Sequence, residues 1–148
     1  MKKGSSNLLL LDLNVLLAVA WPNHQFHAAA LRALEASMDR WATCALTELG
    51  FIRLSSNPAA IPTAKSPAEA ASVLAGMVDD PLHVYLESLP SPVEKTFRSR
   101  FEKILGSKQV TDAYLLMLAR RHKATFVTFD TRLKDLAGAE TKVQVLGA

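Results

Sequence analysis

Cysteine is almost absent from these 148 residues, with Cys44 standing alone. A lone thiol excludes an intramolecular disulfide and any cysteine-rich zinc site, and it suits a reducing cytoplasm. Long hydrophobic runs are missing too. The apolar stretch from Leu8 to Trp21, preceded by Lys2 and Lys3, has the outline of a secretory leader, with Ala18-Val19-Ala20 as a small-residue cleavage site. Asp12 and Asn14 interrupt its centre, and an Asp in the middle of a membrane span costs about 2.5–3.5 kcal/mol. No run is long enough to cross a bilayer, so no membrane association is expected and the cytoplasm is the expected compartment. Repeats, low-complexity tracts and linkers are also lacking, which leaves residues 1–148 as one expected domain. A chain of this length buries roughly 68–70% of its unfolded surface and needs no staples.

Net charge is small, +3, which by itself does not argue for nucleic acid. Its distribution says more. Residues 95–134 hold ten Lys/Arg against three acids, a net +7, while the other 108 residues hold seven against eleven, a net −4. Such a basic segment either attracts a polyanion or is two solvated helix faces.

What is present is an alternation of short apolar runs with helical patterns. Leu8–Leu11 reads as a strand buried on both faces, hence parallel. Leu13 to Ala20 reads as a short helix. Asn23 is a candidate cap for a second helix to about Met38, with Phe26, Ala30, Leu34 and Met38 on one stripe. Trp41 to Cys44 is a second strand and Ala45 to Leu54 a third helix. Ser66-Pro67-Ala68-Glu69 is a helix start with a capping box, running to about Val78. His83 to Leu86 is a third strand, and Pro92 opens a helix toward Leu105 that Gly106 ends. Thr111 to His122 is a helix, Ala124 to Thr128 a strand, and Val143 to Leu146 a last strand. Strands alternating with helices imply a layered α/β fold with a mostly parallel sheet.

Four acids stand out by position. Asp12 ends the first strand, Glu48 lies one turn into the helix after the second, Asp112 opens the helix Thr111–His122, and Asp130 follows the strand Ala124–Thr128. The carboxyl ends of parallel strands form the ligand crevice of such sheets. Asp12, Asp112 and Asp130 also have plain readings as caps or turn residues. Yet Asp112 shares a face with Leu115, Leu116 and Ala119, and Glu48 with Phe51 and Ile52, and an inward carboxylate needs a cation or donors. Converging carboxylates repel one another. A divalent ion resolves this, and all-oxygen ligands suit Mg²⁺ or Mn²⁺, which can activate a water and clamp a phosphate.

Leu10-Leu11-Asp12-Leu13-Asn14-Val15-Leu16 resembles the opening motif of PIN-domain ribonucleases. Glu48 in Thr47-Glu48-Leu49, Asp112 in Val110-Thr111-Asp112-Ala113 and Asp130 in Thr128-Phe129-Asp130 resemble its other acidic positions. Trp21-Pro22-Asn23-His24 and Leu54-Ser55-Ser56-Asn57-Pro58 resemble the VapC-type toxins of toxin–antitoxin pairs. The resemblance implies a three-layer fold with a mostly parallel sheet flanked by helices. It implies a Mg²⁺- or Mn²⁺-dependent endoribonuclease that leaves a 5′-phosphate and a 3′-hydroxyl, works as a homodimer, and is bound by a cognate antitoxin. Asp12, Asp112 and Asp130 would hold metal, Glu48 would complete the catalytic set, and Asn14 and Thr128 would orient carboxylates or water.

Other polar residues are less specific. Arg53, Arg120, Arg121, Lys123 and Arg132 are candidate RNA contacts, with solvation the plain alternative. His24 and His27 lie three apart and lack a third Cys or His nearby, so solvent-facing helix positions fit them better than a metal site. His122 falls on the stripe of Leu115 and Leu118, near the helix end. Cys44 reads as buried and inert. Competing functions are an Asp-nucleophile phosphatase, which wants a second acid where Asn14 stands, a receiver-type phosphoacceptor, which wants paired acids, and a non-catalytic RNA- or protein-binding module.

Overall fold

In the computed structural model, which describes residues 7–37, 39–87, 89–104 and 106–147, five parallel strands form one sheet. The strands are β1 (Leu8–Leu11), β2 (Arg40–Cys44), β3 (His83–Leu86), β4 (Thr125–Thr128) and β5 (Lys142–Val145), in the spatial order β3-β2-β1-β4-β5. The helices are α1 (Leu13–Ala20), α2 (His27–Ser37), α3 (Ala45–Ser55), α4 (Pro67–Met77), α5 (Lys95–Arg98), α6 (Val110–Arg121) and α7 (Arg132–Ala137). The chain moves from β1 outward to β3, then returns to place β4 on the other side of β1. That reversal opens a crevice at the carboxyl ends of β1 and β4.

The four consecutive leucines of β1 are all buried because both sheet faces are covered. Leu8 and Leu10, with Ala42, Cys44 and Phe126, pack against Phe97 and the α6 residues Leu115, Leu118 and Ala119. Leu9 and Leu11, with Trp41 and Val127, pack against Val15, Leu16, Phe51 and Leu74 of α1, α3 and α4. The apolar stretch Leu8–Trp21 is therefore the central strand and the helix laid across it. Among the described residues no helix is long and apolar enough to cross a membrane.

Most expected elements form within a residue or two of their expected ends, including the Ser66/Glu69 capping box. Three regions differ. Asn23 does not cap α2, which starts four residues later. There, the His24 ring accepts the Phe26 N–H at 3.1 Å and the backbone turns twice before His27. The helix expected from Pro92 toward Leu105 shrinks to the four-residue α5 and a 3₁₀ turn, Ser99–Lys103. Phe97 is the one buried side chain of those two elements, too narrow an apolar stripe to hold a longer helix. Helix α7 was not expected. It starts where Asp130 accepts the Arg132 N–H and is held by Leu133 and Ala137, four apart on one buried face. The expected contributions of Met38 and Leu105, and Lys2 and Lys3, lie outside the described residues.

α6 ends in a Schellman motif. Lys123 N–H donates to Arg120 O, Ala124 N–H donates to Ala119 O, and Lys123 takes φ 55°. A left-handed conformation costs a non-glycine residue roughly 1–2 kcal/mol, and glycine returns part of that through a looser unfolded chain. Lys123→Gly is therefore expected to stabilise the protein by about 1 kcal/mol, a Tm rise of about 2–4 °C. Lys123→Val is expected to lower Tm. Thermal melts check both, and an unchanged or lower Tm for Lys123→Gly would contradict the strain.

Candidate active site

Asp12 sits at the crevice. Its N–H donates to Val127 O at 2.8 Å, extending the β1–β4 ladder one residue past β1, and it is the cap residue of α1. The residue is 7% exposed. Oδ1 accepts the Leu13 N–H at 2.7 Å and Oδ2 accepts the Thr128 hydroxyl at 2.6 Å. Thr128, the last residue of β4, in turn accepts the Asp130 N–H at 3.0 Å, so one hydroxyl joins both strand ends.

A cavity of about 700 Å³ opens above Asp12. Its polar wall is Asp12, Asn14, Thr47, Arg53, Thr111 and Asp112. Asp112 comes from the first turn of α6, whose stripe of Leu115, Leu116 and Ala119 is buried as its spacing requires. α3 forms the opposite wall and crosses close to α1, since a Cβ on Gly50 would lie 2.7 Å from Leu13 Cδ2. Asn14 Oδ1 is buried with no hydrogen-bond partner.

The carboxylates feel one another. Burial pushes Asp12 up to about 6, with Asp112 and Asp130 adding to the rise and the Thr128 and Leu13 bonds opposing it. Burial also raises Asp112, helped by Asp130 and opposed by Arg132. Asp130 is held low by Arg132, which grips both of its oxygens, Nε to Oδ1 at 3.0 Å and Nη2 to Oδ2 at 2.8 Å.

Two expected groups lie elsewhere. Glu48 is not part of the cavity wall. The phase of α3 turns it toward β2 and β3, where Oε2 accepts the Thr43 hydroxyl at 2.7 Å and His83 Nε2 lies 2.8 Å from the same hydroxyl. Thr43 has one proton and gives it to Glu48, so His83 donates to Thr43. No sequence signal links Thr43 to His83, because their contact comes from strand pairing. Arg120, Arg121 and Lys123 lie at the far end of α6, with Arg120 about 12 Å along the helix from Asp112. Arg120 pairs there with Glu140 at 3.2 Å, beside Arg100. Arg53 and Arg132 do stand at the crevice. His24 and His27 are spoken for by the Phe26 N–H and, at 2.7 Å, Ala18 O. His122 caps the end of α6, and Cys44 is buried.

Among the described residues no three His, Cys, Asp or Glu side chains already form one metal-binding cluster. The cavity nevertheless suits a hard cation. It brings together two carboxylates whose charged forms are destabilised, with Asn14 beside them in the wall, and Mg²⁺ binds through one or two carboxylates while keeping several waters.

A PIN domain model matches residues 9–139. Ribonuclease VapC38 of Mycobacterium tuberculosis is 40% identical over 139 residues, 93% of this chain and 96% of that protein. Ribonuclease VapC44 of the same organism is 39% identical over 122 residues, 82% of this chain and 84% of that protein. Among solved structures, the Mycobacterium tuberculosis toxin VapC20 aligns with TM-score 0.66 at 14% identity, covering 90% of this chain and 98% of that one. VapBC2 from Rickettsia felis aligns with TM-score 0.65 at 15% identity, covering 95% and 99%. At these identities the structures speak for the fold.

The raised Asp12 pKa has a stability consequence. Between its ordinary value of 3.8 and about 6, the folded form keeps the proton that the unfolded chain has lost. Stability present below pH 4 therefore falls as pH rises through 6, by about 3 kcal/mol in metal-free protein. Asp112 acts in the same direction. Asp130, held low, acts oppositely and loses its contribution in acid. Asp12→Asn keeps a capping side chain and is expected to raise metal-free Tm at pH 7 while flattening the slope between pH 4 and 7. Melts across that range check it, and a wild-type slope in the variant would contradict it.

Proposed function

The chain belongs to the PIN-domain family, and we propose that it is a metal-dependent endoribonuclease of the VapC type, the toxin of a toxin–antitoxin pair. The observation that carries this reading is the pairing of Asp12 and Asp112 across one cavity at the reversal point of the sheet. Kinship with ribonuclease VapC38 over nearly the whole of both chains supports the choice of RNA. An Asp-nucleophile phosphatase would need an acid at Asn14, and the cavity has an amide there.

In the reaction proposed, water forms a bond to phosphorus, the bond from phosphorus to the 3′ oxygen breaks, and that oxygen takes up a proton. The products are a 5′-phosphate and a 3′-hydroxyl. Asp12, Asp112 and Asp130 would hold Mg²⁺ or Mn²⁺, with Asn14 in the same cavity wall. Such an ion supplies a counter-charge for the phosphate and lowers the pKa of water. Thr128 fixes the direction of Asp12 and ties it to Asp130. Arg132 balances Asp130 until that carboxylate is needed. Arg53, in the cavity wall, is placed to meet a phosphate. Glu48 stays with Thr43 behind the wall and is given no step.

The surface supports protein partners. Leu46, Leu49, Val93 and Val110 are exposed, Leu49 at 65%. Leu46 and Leu49 also line the catalytic cavity, and Leu46 and Val110 line a smaller one beside it. Apolar surface of this kind marks protein contacts, which supports a homodimer and a bound antitoxin. The fold neighbour from Rickettsia felis is itself VapBC2, solved on a DNA fragment from its promoter.

Asp12→Asn and Asp112→Asn are each expected to reduce RNA cleavage at least about a hundredfold, and Thr128→Val by about 10–100-fold, as for residues that orient metal ligands. Chelator is expected to stop the wild type, with Mn²⁺ or Mg²⁺ restoring it. Gel assays on labelled RNA check this, and full cleavage in chelator would sink the metal mechanism.

A further inference from the structure

Two stretches that the acidic cavity does not use meet on a second one. The turn after α1, including Trp21, Asn23, His24 and Gln25, and the end of α3 with the segment that follows it, including Ser55 and Lys65, line a cavity of about 630 Å³. Trp21 Nε1 donates to Ser55 Oγ at 2.9 Å, and the indole stacks on Phe51 with centroids 5.7 Å apart. That wall is therefore rigid. His24 forms another wall. Its Nδ1 accepts the Phe26 N–H, so the neutral ring carries its proton on Nε2. Burial, with His27 adding to it, holds its pKa down, which keeps the ring neutral.

This cavity adjoins the catalytic edge at two points. The His24 ring stacks with Phe129, centroids 6.5 Å apart and planes 19° apart, and Phe129 is the residue between Thr128 and Asp130. Phe26 packs against the Phe129 ring with centroids 4.8 Å apart. On the other side, Ser55 directly follows Arg53 and Leu54, which line the acidic cavity.

Its chemistry is unlike that of the acidic cavity. The lining holds aromatic rings, two exposed side-chain amides and one lysine, and it holds no carboxylate. Rings stack on bases, amides pair with base edges, and an ammonium meets phosphate. We propose that this cavity is a subsite for one unpaired nucleotide of the RNA substrate, adjacent to the scissile phosphate, with its base stacked on His24. The proposal rests on the ribonuclease reading of the acidic cavity. The nucleotide it takes is unpaired, since a paired base cannot leave its helix to enter without unstacking.

The test uses the full chain with Mn²⁺ and a short labelled single-stranded RNA, together with a series in which one abasic site is walked through that RNA. Wild type is expected to lose about 5- to 150-fold in kcat/KM when the abasic site falls at one fixed offset from the cut. His24→Ala is expected to lose a similar factor on intact RNA and nothing further on that abasic RNA. His24→Phe, which keeps a stacking face, is expected to restore the wild-type pattern, which separates stacking from a folding defect. Equal cleavage of the whole abasic series, or independent losses that multiply in His24→Ala, would overturn the subsite while leaving the ribonuclease reading intact. Unchanged RNA cleavage with weakened antitoxin binding in His24→Ala would assign the cavity to a peptide and overturn it too. Absence of metal-dependent cleavage by wild type would overturn the ribonuclease reading, and the subsite with it.

Discussion

The hydroxyl of Thr128 donating to the buried carboxylate of Asp12 is the contact on which the site depends. It joins the ends of the two strands between which the sheet reverses. Without that bond, and the Leu13 N–H on the other oxygen, the buried Asp12 carboxylate would have little to offset its lost hydration. Even with both, burial wins and Asp12 rises to about 6. The position is costly for a charge, and a structural cap at the start of α1 would not need it. The same carboxylate faces Asp112 across a cavity and responds to Asp130. A cation held between the carboxylates, as proposed, would relieve that mutual destabilisation.

The rest of the fold serves that placement. Two apolar layers clamp β1 from both sides, and the all-leucine strand brings Asp12 to the crevice with no freedom to retreat. α6 delivers Asp112 because its buried stripe fixes its rotation. α7 delivers Arg132 because it starts directly after Asp130. The cations that could meet a polyanion at this edge are Arg53 and Arg132. The cluster of Arg120, Arg121 and Lys123 is at the opposite end of α6, since a helix following this topology runs back against the strands.

Local signals were readable before the fold. Four leucines in a row mean a strand covered twice, Ser66 with Glu69 means a helix start, and an acid after a short apolar run means a crevice residue. Belonging to the PIN-domain family was legible in the same acids. What escaped depends on tertiary contacts. The start of α2 turns on a His24 ring bond, the fate of Pro92–Leu105 on how little of it is buried, and α7 on two residues that find the core. Glu48 lies one turn from Phe51, but Phe51 packs on Trp21 while the Glu48 carboxylate reaches Thr43 beside His83, and strand pairing alone brings those two together. Charge counted along the sequence likewise could not tell which end of α6 lies at the crevice.

On the proposed reading, Asp12 and Asp112 are paired in order to hold a divalent ion. Calorimetric titration of Mn²⁺ into metal-free protein, in buffers of different ionisation enthalpy, measures both affinity and protons released. With Asp12 near 6, binding at pH 6 is expected to displace about half a proton from that carboxyl and more if Asp112 contributes, while binding at pH 8 displaces almost none. Asp12→Asn should bind Mn²⁺ far more weakly and lose that release. Equal affinity in wild type and Asp12→Asn, with no proton release at either pH, would contradict the account.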